Sequence, residues 1–166
     1  MSTAPYSIRL EQPADAASIE ALNDIAFGPG RHVRSAYRLR DGVSHDPTLS
    51  FVGEVKGTVM GSVRLTPIRI GGKEALLLGP LAVAPEWTGQ GCGRTLVRTA
   101  VDGARKAGHA LILLVGDEPY YGPLGFKRTM RGAVTMPGPV DPDRVLVAEL
   151  KPGAAEGLAG PAERAL

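Results

Sequence analysis

The run Leu81-Ala82-Val83-Ala84-Pro85-Glu86-Trp87-Thr88-Gly89-Gln90-Gly91-Cys92-Gly93-Arg94-Thr95-Leu96 decides how this chain is read. Apolar, strand-forming residues lead into alternating glycines, and helix-forming residues follow. Glycines let main-chain N–H groups approach a ligand, and a helix start carries partial positive charge, so a strand, glycine turn and helix together make a device for holding phosphate. A purely structural turn needs one glycine, not the alternating Gly89, Gly91 and Gly93. Dinucleotide and nucleoside triphosphate loops fit less well. A G-x-G-x-x-G register on Gly89 and Gly91 puts Arg94 where the third glycine belongs, and the Walker lysine is absent.

Downstream, Leu96, Val97, Ala100, Val101 and Ala104 share one helical face, Arg105 and Lys106 fill the last turn, and Gly108 follows as a stop. The apolar run over 110–115 then reads as a central strand covered on both faces and, reached by a helical crossover, parallel to the strand that ends at Val83. Upstream, strand patterns over 49–55, 58–70 and 73–83, parted by Lys56-Gly57 and Gly71-Gly72, predict an antiparallel meander. Pro67 and Gly79-Pro80 each predict a bulge or bend within it.

The ends are simpler. Residues 6–10 alternate as a half-buried strand, and Pro13 opens a helix with Ile19, Leu22 and Ala26 at helical spacing, which Gly28-Pro29-Gly30 ends. A weaker helix is expected through Val33, Tyr37 and Leu39. After the central strand come a helical turn over 119–124 and strands over 125–130 and 143–150. The pattern predicts a single α/β (α+β) domain over 1–151, with the Gly/Ala/Pro-rich segment 152–166 as a surface appendage.

The chain's 166 residues suffice for a core that needs neither disulfides nor metal. Cys92 is the sole cysteine, no apolar run reaches the roughly 18 residues of a membrane span, and residues 1–6 lack secretory-signal features, so a cytoplasmic setting is expected. Nineteen Lys and Arg against 17 Asp and Glu give a net charge of +2, which argues for neither nucleic acid nor an anionic membrane as partner.

Two elements together resemble the signature of the GNAT superfamily of N-acetyltransferases: Thr88-Gly89-Gln90-Gly91-Cys92-Gly93 in the place of Q/R-x-x-G-x-G/A, and Tyr121-Gly122-Pro123-Leu124-Gly125-Phe126 as the downstream Tyr-x-x-x-Gly-Phe. The phrases Leu78-Gly79-Pro80-Leu81-Ala82-Val83 and Gly116-Asp117-Glu118-Pro119-Tyr120-Tyr121 resemble a bacterial branch of predicted N-acetyltransferases. The resemblance covers residues 6–150 and implies a mixed central sheet of six or seven strands, with an antiparallel N-terminal meander, a splayed parallel pair at the acyl-CoA site and flanking helices. It implies acetyl-CoA or another acyl-CoA as donor, no metal, and direct transfer to a primary amine of a small molecule or peptide. A non-catalytic acyl-CoA-binding module and a protein N-terminal or lysine acetyltransferase are the alternatives. A homodimer is one form the resemblance allows.

By the same resemblance, main-chain groups of Thr88, Gly89, Gln90, Gly91, Cys92, Gly93 and Arg94 hold the pyrophosphate, and Leu81, Ala82 and Val83 pair with the pantetheine arm. The N–H of Leu81 meets the developing oxyanion, and Tyr121 touches the cofactor and donates to the leaving thiolate. Thr88 departs from the usual Gln or Arg and supplies one neutral hydroxyl in place of an amide or a cation; Arg94 could offset the missing charge or point to solvent. Glu54, Glu86, Asp117, His32 and His45 are base candidates by type. Cys92, between two motif glycines, is expected to pack inward instead of acting as a nucleophile. The basic run Arg31, His32, Arg34, Arg38 and Arg40 stands where the family often builds its acceptor wall, and could attract a carboxylate-bearing acceptor or simply face solvent.

Overall fold

The computed structural model describes residues 5–166, with the side chains of His32 and Val33 outside the described residues. Strand β1 (Ser7–Leu10) leads through a short 3-10 turn into α1 (Ala16–Phe27), which stops at Gly28, and α2 (Ser35–Arg40) follows. The meander then runs as β2 (Phe51–Val55), β3 (Thr58–Ile70) and β4 (Lys73–Val83). Helix α3 (Cys92–Lys106) crosses to β5 (Leu111–Val115), and α4 (Glu118–Tyr121) is a single turn. The chain ends with β6 (Lys127–Arg128), β7 (Val134–Thr135), β8 (Val145–Glu149) and β9 (Gly160–Arg164).

The sheet order is β1-β2-β3-β4-β5-β8-β6, antiparallel except for the β4–β5 pair, with β9 joined to β3 and, in parallel, to β7. Among the described residues nine strands form where about six or seven were expected, the additions being the two-residue β7 and the tail strand β9. Side chains of the central strands divide between two cores. Leu76, Leu78, Ile112 and Leu114 join the buried face of α3, whereas Leu77, Leu111, Leu113 and Val147 point to the opposite side. That division is why β5 reads as an unbroken apolar run.

The second face is covered by little helix, and this explains the tail. Residues 152–166 do not merely lie on the surface: β9 pairs with Ile68, Arg69 and Ile70, and Leu158 and Ala162 are buried in the second core. The sequence expectation missed this because the segment has only a few apolar residues to signal a strand.

Of the two bulges expected in the meander, one forms. Across Gly79-Pro80 the β3–β4 register shifts, Leu65 facing Leu78 but Val63 facing Leu81, so β4 carries one extra residue there. Pro67 lies in unbroken register opposite Leu76. The N–H of Leu65 points away from β4, to the Ser50 hydroxyl at 3.2 Å, and Pro67 two residues later shares that direction. Its missing N–H therefore removes no bond to β4. A chain ending at residue 151 is expected to unfold on the order of 10 °C lower than the full chain, since it loses the β9 ladder and the burial of Leu158. Thermal unfolding followed by circular dichroism checks this, and an unchanged midpoint would mean the tail adds nothing to the core.

Candidate functional site

Alternation along β4 sets the geometry of the site. Beyond the bulge, the N–H of Ala84 reaches the carbonyl of Met60 on β3 at 2.7 Å, and Ala82 pairs opposite Ser62. The polar main-chain groups of Leu81 and Val83 are therefore turned the other way, toward β5. Yet β4 and β5 pair only at Leu76–Ile112 and Leu77–Leu113. Past Leu77 the strands separate, and the N–H and C=O groups of Leu81 and Val83 face the gap. Ala82, turned to β3 with its side chain buried, presents nothing to it.

Below the gap lies the glycine turn. Gly91 adopts φ 85° at the N-cap of α3 and offers no side chain to cap it, and the first turn holds no acidic residue. The first intrahelical bond into this end is Thr95 N–H to Gly91 carbonyl, so the N–H groups of Cys92, Gly93 and Arg94 have no acceptor within the helix. A cavity of about 350 Å³ covers them, lined by Val83, Trp87, Thr88, Gly89, Gly91, Cys92, Gly93, Arg94 and Tyr120. Gln90, exposed on the turn, stands outside that lining. A Cβ on Gly93 would lie 2.7 Å from the Tyr120 hydroxyl, so a larger residue here would push the phenol aside. The Arg94 guanidinium sits 5.5 Å from the centre of the Tyr120 ring, next to the same cavity. The Thr88 hydroxyl donates to the Pro85 carbonyl at 2.9 Å, so its one proton stays within the turn.

Above the gap opens a larger cleft of about 660 Å³. Gly79, Pro80 and Leu81 form its floor, Gly116, Asp117, Tyr120 and Tyr121 one wall, and Phe27, Arg34, Tyr37 and Arg40 another, with Pro139, Val140 and Arg144 closing the rim. Tyr120 belongs to both cavities and joins them. The Tyr121 ring packs edge-on against Tyr120 and Phe126 and lies over Gly116, where an added Cβ would stand 2.4 Å from it. Burial pushes the Tyr121 phenol up to about 12, and burial raises that of Tyr120 as well.

The base candidates separate. Among the described candidates Asp117 alone lines the cleft, with its carboxylate 3.1 Å from Arg144. Glu54 pairs with Arg9 at 3.2 Å, Glu86 is exposed on the turn below, and His45 pairs with Glu11 at 2.9 Å in a neighbouring cavity. The side chain of His32 lies outside the described residues. The basic run separates too. Arg31 is buried against Glu20 and Asp24, Arg38 donates to the Pro137 carbonyl, and Arg34 and Arg40 line the cleft.

Several site residues carried no signal in the sequence. Trp87 and Tyr120 adjoin motif residues and were within reach of neighbourhood alone, whereas Phe27, Pro139, Val140 and Arg144 come from distant parts of the chain and match no pattern. Among the described residues no cluster of His, Cys, Asp and Glu could hold a metal ion, and no helix is long and apolar enough to cross a membrane.

Cys92 is 1% exposed, with its sulfur 3.6 Å from the Met60 sulfur, and burial alone pushes its thiol up to about 11. A group so placed has no nucleophilic part to play at neutral pH. At pH 8 the native thiol is expected to resist an aromatic disulfide reagent at least a hundredfold more than the unfolded chain does. Rapid native labelling would show that the helix start opens.

A profile of the acetyltransferase (GNAT) family matches residues 16–126. YhbS of Escherichia coli strain K12, named as an uncharacterized N-acetyltransferase, is 34% identical over 124 residues, 72% of each chain. The crystal structure of E. coli YhbS in complex with CoA superposes with a TM-score of 0.83 over 99% of this chain and 92% of that one, at 27% identity. A GNAT family acetyltransferase from Brucella melitensis in complex with acetyl-CoA superposes with a TM-score of 0.63, at 31% identity, over 87% of this chain and 96% of that one.

Proposed function

The chain belongs to the acetyltransferase (GNAT) family, and from that premise we propose an acyl-CoA-dependent N-acetyltransferase that passes the acyl group directly to a primary amine in the cleft. The observation that carries this reading is the continuity of three features. An uncapped helix start, a strand gap with unpaired main-chain groups, and a cleft beyond it follow one another, joined at Tyr120.

In this reading the pyrophosphate lies against the N–H groups at the start of α3 and on the preceding turn from Thr88 to Gly91. Arg94 adds charge from the side, and Thr88 contributes through its main chain only. The pantetheine arm enters the gap and takes the place of a strand beside β4, bonding to the outward groups of Leu81 and Val83. The thioester then reaches the floor of the cleft. A neutral amine attacks the acyl carbon, a C–N bond forms, and the carbonyl oxygen becomes an oxyanion that accepts the Leu81 N–H. Collapse breaks the C–S bond and releases CoA as a thiolate. The ammonium proton leaves toward water along the exposed Asp117, the one base candidate on the cleft wall among the described side chains.

Tyr121 acts on the leaving sulfur as a hydrogen-bond donor. With its phenol near 12, complete transfer to a thiolate of ordinary pKa ~8.5 would be uphill by roughly 5 kcal/mol, so the proton stays on oxygen while the bond stabilises developing charge. A Tyr121→Phe variant is expected to lower kcat about 10- to 100-fold, the worth of one hydrogen bond to a charged group. Because the phenol remains protonated, its ionisation should produce no fall in kcat below about pH 11 in the parent protein. Steady-state release of CoA from acetyl-CoA across a panel of primary amines checks all of this. Binding of acetyl-CoA without release to any amine would favour a binding module over an enzyme, and undiminished turnover in the Phe variant would remove Tyr121 from the chemistry.

A further inference from the structure

Arg40 ends α2 and lines the cleft, yet among the described residues it makes neither an ion pair nor a hydrogen bond. Its Nε and Nη1 atoms are closed off from solvent without an acceptor. Among the described residues only the face of the Tyr37 ring, 4.7 Å from the guanidinium carbon, offers the charge compensation. Burial accordingly draws the group down to about 10. Buried arginines are ordinarily paired, since an isolated ion in a low-dielectric setting loses hydration that nothing restores. Arg31, a few residues earlier, has the ordinary arrangement, with two carboxylates on it.

The position of this unpaired charge is specific. The point where a Cβ on Gly79 would stand lies 2.6 Å from Arg40 Nη2 and 3.8 Å from the main-chain nitrogen of Leu81. A glycine at the bulge is what lets the guanidinium come this close to the floor. Arg40 and the N–H that meets the acyl oxygen are thus separated by no more than the length of a small molecule. The charges lining the cleft agree. Arg34, also without an ion pair among the described residues, lines the same cleft as Arg40, whereas the cleft-lining Asp117 already has a cationic partner in Arg144.

We propose that Arg40 receives a carboxylate of the acceptor, so that the cleft selects small primary amines bearing a carboxylate a few bonds from the amine, in the manner of an amino acid. This rests on the acetyltransferase reading above and names the substrate class for the same site. The Nη2 edge donates to the carboxylate, and the amine is held over the thioester between Leu81 and Tyr121. Arg34, at the exposed mouth, draws the anion in. No covalent step is added.

Two measurements test the idea separately from the reading it rests on. First, with CoA bound, calorimetry compares N-acetyl amino acids with the matching N-acetyl amino carboxamides, in the parent protein and in Arg40→Met. The parent should bind the acids at least tenfold more tightly than the amides, and the variant should lose that ratio. Arg40→Lys, which keeps charge without the planar fork, should fall between them and serves if the Met variant unfolds on a thermal scan. Second, kcat/KM for amino acids against their carboxamides should follow the same order. Equal binding of acids and amides by the parent, or an unaltered ratio in folded Arg40→Met, would overturn the proposal. Transfer to neutral or cationic amines with no preference for acids would also overturn it and leave the acetyltransferase intact. Selective binding of the acids without transfer to any amine would retain the carboxylate site and remove the catalytic reading.

Discussion

The site depends on one extra residue in β4. Ahead of the bulge, Leu76 and Leu78 turn their main-chain groups toward β5, and two residue pairs join the strands. At Gly79-Pro80 the alternation is displaced by one position, and Pro80 has no N–H to offer in any case. Beyond it β4 keeps its ladder with β3 through Ala82 and Ala84 but has no neighbour on its other side. The strand is held firmly along one edge and left unpaired along the other. An unpaired edge in the interior of a sheet is costly unless something fills it. Here the gap lies directly above a helix start whose N–H groups are also without partners. Both sets of main-chain donors lie along one path, which is why a long, polar, partly peptide-like cofactor suits the fold.

How legible each part was depends on the range of the interaction that makes it. The glycine turn, α3 and β5 follow from neighbouring residues, and the sequence places them closely. The bulge at Gly79-Pro80 was legible because both residues disfavour continuous pairing locally. The same logic failed at Pro67, since its effect depends on which way its nitrogen points relative to β4, and that is fixed by the register of the whole meander. The tail failed for a related reason. Its strand forms because an apolar face made by Ile68, Ile70 and Leu77 needs covering, a demand that arises from the sheet and not from residues 152–166.

Within the site, the motif residues and the cleft walls differ in the same way. Gly91, Gly93 and Arg94 line one cavity and Leu81 the adjoining cleft, and Cys92 packs inward as a residue between two such glycines should. Gly93 shows that even this part has a long-range component, because the hydroxyl that a Cβ there would displace belongs to Tyr120, across the crossover helix and β5. The opposite wall is assembled from α1, α2 and the segment before β8, and no spacing in the sequence joins Phe27 to Val140.

A run of five basic residues reads in sequence as one patch, and the fold divides it by length of reach and direction. Arg31 turns back to α1 and is neutralised there, Arg38 meets a main-chain carbonyl, and Arg34 stays at the mouth. Arg40 is at the last position of α2, where a guanidinium can pass over Tyr37 and come to rest against the glycine of the bulge. The feature that opens the strand for the cofactor thus also gives the arginine its seat. Main-chain and side-chain features thus meet at one bulge, where Arg40, which has no ion pair among the described residues, stands beside the floor of the cleft.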